Sequence, residues 1–290
     1  MPTIRLQWWL GNQMFEYALA YALSQKHKED ILFDGTFLEN KFFMADWTFR
    51  SFELNVFGIQ KKYLLLPNFM NRMFHPIVFE IIRKIQFWKK YLKEKNGWFI
   101  ESIPENCYLD GWFQSYRYFE EYSTEMKQIF TVQTLVNLQN QEMLEKIATV
   151  WGNSVSLHVR RGDYVSLSSA NKWHGVCSIG YYETAIKQIQ ETLGSPVFFV
   201  FSDDIGWCKE NIHFPDWIEA LYVDYNGNAG HEDMRLMYSC SHHIIANSSF
   251  SWWWAFLGRN PDKVIIAPKK WLETNTFSTQ NLLPPSWILL

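Results

Sequence analysis

Cysteine is scarce and unpaired in this sequence: Cys107, Cys177, Cys208 and Cys240 stand far apart, with no Cys-x-x-Cys spacing. That removes a disulfide framework and a thiolate zinc site, and four reduced thiols fit a cytoplasmic protein. Long apolar runs are missing too. No stretch approaches the roughly 18 apolar residues of a membrane span. Residues 1–30 mix charged and polar side chains where a secretory signal needs an apolar core. Charge of one sign is not in excess: the net charge of −3 gives no electrostatic reason to expect a nucleic-acid partner. The chain also lacks a glycine-rich phosphate loop. Asp203 and Asp204 are contiguous, without the spacer of the metal-binding Asp-x-Asp motif.

What is present is apolar and aromatic. Hydrophobic residues make up 48% of the 290 residues, enough to fill two cores of ordinary size. The 15 tryptophans suit surfaces on which sugar rings stack, although core packing accounts for most indoles in any protein. In the second half, apolar runs at 154–159, 196–201, 219–223, 242–246 and 263–267 read as strands. Helical patterns fall between them at 180–193, 205–211, 231–240 and 250–258; in the first of these Tyr182, Ala185, Ile186, Ile189 and Leu193 share a face. This alternation predicts βαβ units on a parallel sheet. The first half begins alike, with a strand at Ile4–Gln7, a helix from about Asn12 to Lys26 and a strand at Ile31–Asp34. The expected fold class is α/β: two Rossmann-like domains, 1–150 and 151–290, facing each other across a cleft.

Ligands of parallel α/β sheets bind outside the carboxyl ends of the strands. Four of the strands read here end in polar clusters: His158-Val-Arg160-Arg161-Gly162-Asp163, Ser202-Asp203-Asp204, Asn247-Ser248-Ser249 and Pro268-Lys269-Lys270. Paired arginines offer always-charged planar forks suited to a diphosphate. Asn247, Ser248 and Ser249 precede the helix that starts at Phe250, where free backbone N–H groups favour an anion. Asp203 or Asp204 could accept from the N1–H and amino group of a guanine. Each residue also has an ordinary reading: an ion pair of Arg160 or Arg161 with Asp163, a serine N-cap, or a carboxylate capping the following helix.

His158–Tyr164, Phe201–Asp204, Ile245–Trp253 and the early Leu10-Gly11-Asn12-Gln13-Met14-Phe15 together resemble the α-1,2-fucosyltransferases of glycosyltransferase family 11, and His174-Gly-Val-Cys-Ser178 resembles its bacterial members. The resemblance implies a GT-B-type fold and inverting transfer of L-fucose from GDP-β-L-fucose, with no cofactor and no metal. The implied acceptor is the 2-hydroxyl of a β-galactoside, on an oligosaccharide or lipid-linked glycan, in surface polysaccharide (O-antigen) synthesis. It also implies that Arg160 grips the diphosphate, His158 lies near the nucleotide and Asp203 reads guanine. Ser248, Ser249 and Phe250 would cradle phosphate, and Gly11, Asn12 and Gln13 would face the fucose.

Inverting transfer needs a base at the acceptor hydroxyl, and Asp163, His174 and Glu16 are its candidates. The chain departs from the family at Trp8-Trp9, where two glycines are usual, at Glu16, where glutamine is usual, and at Trp254, often a small residue. Glycine at a strand-to-helix turn permits positive φ, so two indoles there are expected to hinder the turn or fill the donor side of the cleft. A GDP-fucose-binding pseudo-enzyme, or a transferase of another linkage, is the alternative reading. Residues 61–95 interleave Lys and Arg with apolar residues, a pattern that suits peripheral contact with an anionic membrane or a solvated helix face.

Overall fold

The computed structural model describes residues 2–30, 32–39, 51–60, 81, 84–85, 90–94, 99–162, 175–273 and 279–290. The chain divides into two compact units, Met1–Ile129 and Phe130–Leu290. The sequence reading places the division at 150, but the helix Leu138–Thr149 lies in the second unit, packed on the helix Gly230–Ser239. Helix Leu138–Thr149 buries Asn140, Met143 and Ile147, and this face is what ties it there.

The first unit holds a four-stranded sheet in which every pairing is parallel, ordered β2-β1-β4-β3. Its strands are β1 (Thr3–Arg5), β2 (Leu32–Asp34), β3 (Tyr91–Lys93) and β4 (Tyr108–Asp110). Helix α1 (Leu10–His27) crosses from β1 to β2 and buries Leu10, Met14, Phe15, Ala18, Leu19, Ala22 and Leu23, the i, i+4 stripe of a helix covering a sheet. It ends at Lys28, whose left-handed backbone (φ 53°) lets its N–H reach the Ser24 carbonyl. A short α2 (Thr36–Glu39) follows β2, and α3 (Ser123–Ile129) closes the unit. The basic segment 61–95 falls largely outside the described residues. Its end is not a helix face: Tyr91–Lys93 is β3, paired with β4.

The second unit begins with α4 (Leu138–Thr149) and carries a six-stranded sheet, again parallel at every pairing. Strands β5 (Ser154–Val159), β6 (Val197–Ser202), β7 (Ala220–Val223), β8 (His242–Ile244), β9 (Ile265–Ala267) and β10 (Ile288–Leu289) lie in the order β10-β9-β8-β5-β6-β7. The helices between them are α5 (Ile179–Leu193), α6 (Ile205–Asn211), α7 (Gly230–Ser239) and α8 (Ser249–Leu257). Val155, Leu157, Val159, Phe198 and Val200 pack with Tyr182, Ala185, Ile186 and Ile189 of α5, the helix face read from the sequence. Each fully buried aliphatic side chain there contributes about 1.5–3 kcal/mol relative to exposure. Trp252, Trp253 and Trp254 of α8 are all wholly buried; Trp252 donates its indole N–H to Leu282 O at 2.8 Å and stacks on Phe256. These three indoles are core. Both units are therefore α/β with parallel sheets, the class the sequence predicts. No helix among the described residues is long and apolar enough to cross a membrane.

Candidate functional site

The order of the second sheet places β5 beside β8, the point where successive strands leave in opposite directions. Parallel sheets bind ligands at such a switch point, outside the carboxyl ends. His158 to Gly162 leave β5 there, and Asn247 to Ser249 follow β8.

Helix α8 presents its amino terminus at this point. Ser248 is extended (φ −136°), its carbonyl accepts from Trp252 N at 2.9 Å, and its hydroxyl makes no capping bond. The first-turn N–H groups therefore have neither an intrahelical acceptor nor a side-chain cap, which suits an anion. Ser249 and Phe250 are partly exposed beside them. His158 is anchored from the same helix: its Nδ1 lies 2.6 Å from Ser251 Oγ, with Phe250 and Trp254 against the ring. Burial lowers the imidazole to about 4, against the opposing pull of Asp203, so His158 is neutral near pH 7. Ser251 is a partner that the sequence reading missed, and Trp254 backs the histidine.

The arginines are paired, though with residues just after β6. Arg160 Nη1 lies 3.0 Å from Asp203 Oδ2, and Asp203 Oδ1 accepts the Arg161 backbone N–H at 2.8 Å. Arg161 Nε donates to Asp204 Oδ2 at 3.2 Å, and its guanidinium sits 3.9 Å from the centre of the Trp207 ring. At Gly162 a Cβ would stand 2.5 Å from Asp203 Oδ2, so a larger residue would have to push that carboxylate aside. Asp204 also caps α6, accepting from Trp207 N at 3.1 Å. The helix-capping reading of this carboxylate is thus correct, and the partners of the arginines are Asp203 and Asp204. Asp163, the partner considered from the sequence, lies outside the described residues, as does His174.

Two other expected ligand contacts are structural ties. Ser202 Oγ donates to Val159 O at 2.7 Å and accepts from Asp204 N at 2.9 Å, holding the β6 exit to β5. Asn247, 3% exposed, donates to Gly175 O and Trp271 O and accepts from Cys177 Sγ. Its amide joins three loops instead of facing solvent.

In the first unit, Gln13 is wholly buried. It donates to Trp8 O and Ser51 O, both at 2.9 Å, and accepts from Glu53 N at 3.0 Å. With its donors and acceptor in use, Gln13 fixes the turn before α1. Gly11 is also buried, whereas Asn12 is partly exposed and accepts from Gln114 Nε2 at 2.9 Å. Glu16 is withdrawn as a base. It is wholly buried, Oε2 accepts from Gln7 N at 2.9 Å, and burial holds the carboxyl well above its usual range.

The turn itself forms despite the two indoles. Trp8 adopts φ 64°, the left-handed conformation that glycine takes without strain, and its ring packs 5.0 Å from that of Phe37. Trp9 is 43% exposed, and Glu53 Oε2 accepts from Leu10 N in place of a capping side chain. The left-handed backbone of a non-glycine residue costs about 1–2 kcal/mol. The hindrance of the turn expected from Trp8-Trp9 is thus absorbed as local strain.

Residues 1–290 match the family described as glycosyl transferase family 11. The chain is 36% identical to an α-1,2-colitosyltransferase of Escherichia coli, over 98% of this chain and 97% of the relative. It is also 36% identical to the O-antigen biosynthesis glycosyltransferase WbnK of Escherichia coli, over 97% of each. Galactoside α-(1,2)-fucosyltransferase 2 of Bos taurus is 29% identical over 89% of this chain and 69% of the relative. Among solved structures, fucosyltransferase NodZ from Bradyrhizobium is similar with a TM-score of 0.46 and 16% identity, covering 91% of this chain and 94% of that one. With the family matched over its whole length and two relatives similar from end to end, the chain belongs to glycosyltransferase family 11.

Proposed function

We propose that this protein transfers a 6-deoxy-L-sugar from its GDP-linked donor to the 2-hydroxyl of a β-galactoside, with inversion and without a metal, during O-antigen synthesis. L-Fucose is the first donor to test. The observation that carries the reading is the switch-point site: an uncapped helix amino terminus, two arginines and a neutral histidine around one strand exit. The first-turn N–H groups of α8 and Arg160 would take the diphosphate, whose departing charge they stabilise in an oxocarbenium-like transition state. Arg160 would exchange Asp203 for phosphate, while Arg161 stays between Trp207 and Asp204. A freed Asp203 is then available to a guanine edge. Peripheral membrane contact through 61–95 remains part of the proposal, because a lipid-linked acceptor lies at a membrane surface.

Colitose is the second donor to test, because a relative at 36% identity is an α-1,2-colitosyltransferase. Colitose is fucose without its 3-hydroxyl. A site that hydrogen-bonds that hydroxyl rejects the deoxy sugar by roughly 10⁴-fold, whereas a site that leaves it in water hardly discriminates. GDP-fucose and GDP-colitose are therefore assayed in parallel with lactose and EDTA, and product linkage is read by NMR. A 2-linked product from either donor supports the reading, and the ratio of kcat/KM names the donor. Tight GDP binding with no product from either donor on any β-galactoside would establish the pseudo-enzyme instead.

A further inference from the structure

Ser251 is the third residue of α8 and is wholly buried. Its hydroxyl meets one hydrogen-bonding group among the described residues, His158 Nδ1 at 2.6 Å. The other ring nitrogen, Nε2, makes no hydrogen bond among the described residues, although His158 is only 5% exposed. Phe250 and Trp254 flank the imidazole, with ring centroids 5.9 and 6.4 Å away. The aromatic rings fix its plane, and the hydroxyl fixes which edge faces the helix.

A hydroxyl bonded to a neutral ring nitrogen has two proton arrangements. In one, Ser251 donates to a bare Nδ1 and the ring proton sits on Nε2. In the other, Nδ1–H donates to Ser251 Oγ, and the serine proton is left in a dry place with no acceptor. An orphaned buried donor carries the full desolvation cost of that group, so the first arrangement dominates. Burial lowers the imidazole to about 4, which removes the doubly protonated ring at neutral pH. A second pair in the same unit lacks this constraint. Ser156 Oγ lies 2.8 Å from His243 Nδ1 but also donates to His242 O at 3.4 Å, so its proton has a carbonyl to go to.

We propose that Ser251 is a positioning residue that donates to His158 Nδ1 and so keeps the ring proton on Nε2, from which His158 donates to the diphosphate of the sugar nucleotide. The proposal rests on the transfer reading above, and every residue in it lies in the second unit. The tautomer decides the sign of what His158 presents. A bare Nε2 turns a lone pair toward an anion and repels it. Nε2–H adds one more donor to the uncapped N–H groups of the α8 first turn. His158 acts as a neutral donor throughout and exchanges no proton with the ligand.

The test is Ser251→Ala, read first by nitrogen NMR of the imidazoles near neutral pH. Wild-type His158, assigned by its loss in His158→Ala, should show a protonated Nε2 and a bare Nδ1. In Ser251→Ala it should pass to a mixture of tautomers, while His243 keeps its signals and reports an intact fold. A protonated Nδ1 in the wild type, or a His158 spectrum that Ser251→Ala leaves unchanged, overturns the proposal. GDP is the binding probe. Its affinity should fall roughly tenfold in Ser251→Ala, the weight of one charge-assisted hydrogen bond. Ser251→Thr, which keeps the hydroxyl, should restore it. Added to His158→Ala, Ser251→Ala should change GDP affinity by less than about twofold, because the serine acts through the ring. Losses that add in full assign Ser251 to the fold and overturn the proposal. A wild type that binds GDP with this dependence on Ser251, yet transfers neither fucose nor colitose, overturns the transfer reading alone.

Discussion

The carboxyl edges of the two sheets solve different problems with the same residue types. On the second sheet, arginines and carboxylates meet one strand apart and a quarter exposed, so Arg160 can change partners. On the first sheet, Arg5 and Asp110 are 14% and 5% exposed and bonded through both carboxylate oxygens. That pair holds the architecture in place. An ion pair becomes a binding device when its partners can be rehydrated cheaply and a structural one when they cannot.

The largest effect should follow from attacking the buried pair. Arg5→Met leaves Asp110 without its cation in a dry site and should cost about 3–5 kcal/mol, read as a shift in the urea midpoint. A loss under about 1 kcal/mol would mean that Asp110 is solvated and the contrast between the edges is false.

Arg160→Ala should show the opposite pattern. Stability should change by about 1 kcal/mol or less, because the pair is partly exposed. Transfer should slow by roughly 10²–10³ through lost stabilisation of the leaving diphosphate. Chemical denaturation and steady-state kinetics on one preparation separate the two, and a stability loss matching that of Arg5→Met would erase the comparison.

Glu94 sharpens it through pH. Its folded value, about 7, lies above the usual carboxylate value of 4.5. The stability it contributes is therefore fully present below about pH 4.5 and lost as pH rises through about 7. The loss is on the order of 3 kcal/mol. Denaturant unfolding at stepped pH should show this slope in the wild type and a flatter one in Glu94→Gln. Identical slopes would place Glu94 in water. The smallest effect is expected from Trp8→Gly, where relief of the left-handed strain offsets the lost Phe37 contact. Net stability should move by less than about 1 kcal/mol; a loss near 3 kcal/mol would make that indole part of the core.

The second unit was the more legible of the two because its signals are local. Long apolar strands alternate with helices, and the site residues sit side by side in short motifs. Both arginines, His158 and the serines at the start of α8 could be found there without a structure. Their partners could not, because Asp203, Asp204 and Ser251 approach the β5 exit from elements 42 to 93 positions away. In the first unit, β3 (Tyr-Leu-Lys) and β4 (Tyr-Leu-Asp) each end in a charge, without the Ile-Ile pairs that mark the equally short β8 and β9. Gln13 and Glu16 lie in a stretch that reads as a sugar-facing motif, yet both point into the core.

The sequence by itself determined the α/β class, the helix faces, the strand-end motif and the family, because periodicity and contiguous motifs survive in one dimension. Only the tertiary structure decided which charges are spent on each other, that Glu16 is buried with its carboxyl held above its usual range, and that Trp8 carries the strain of a left-handed turn. It also decided that Glu94 accepts the backbone N–H groups of Trp112 and Phe113. Burial, desolvation and backbone N–H geometry arise only when distant segments meet, and those three set what each of these side chains can do.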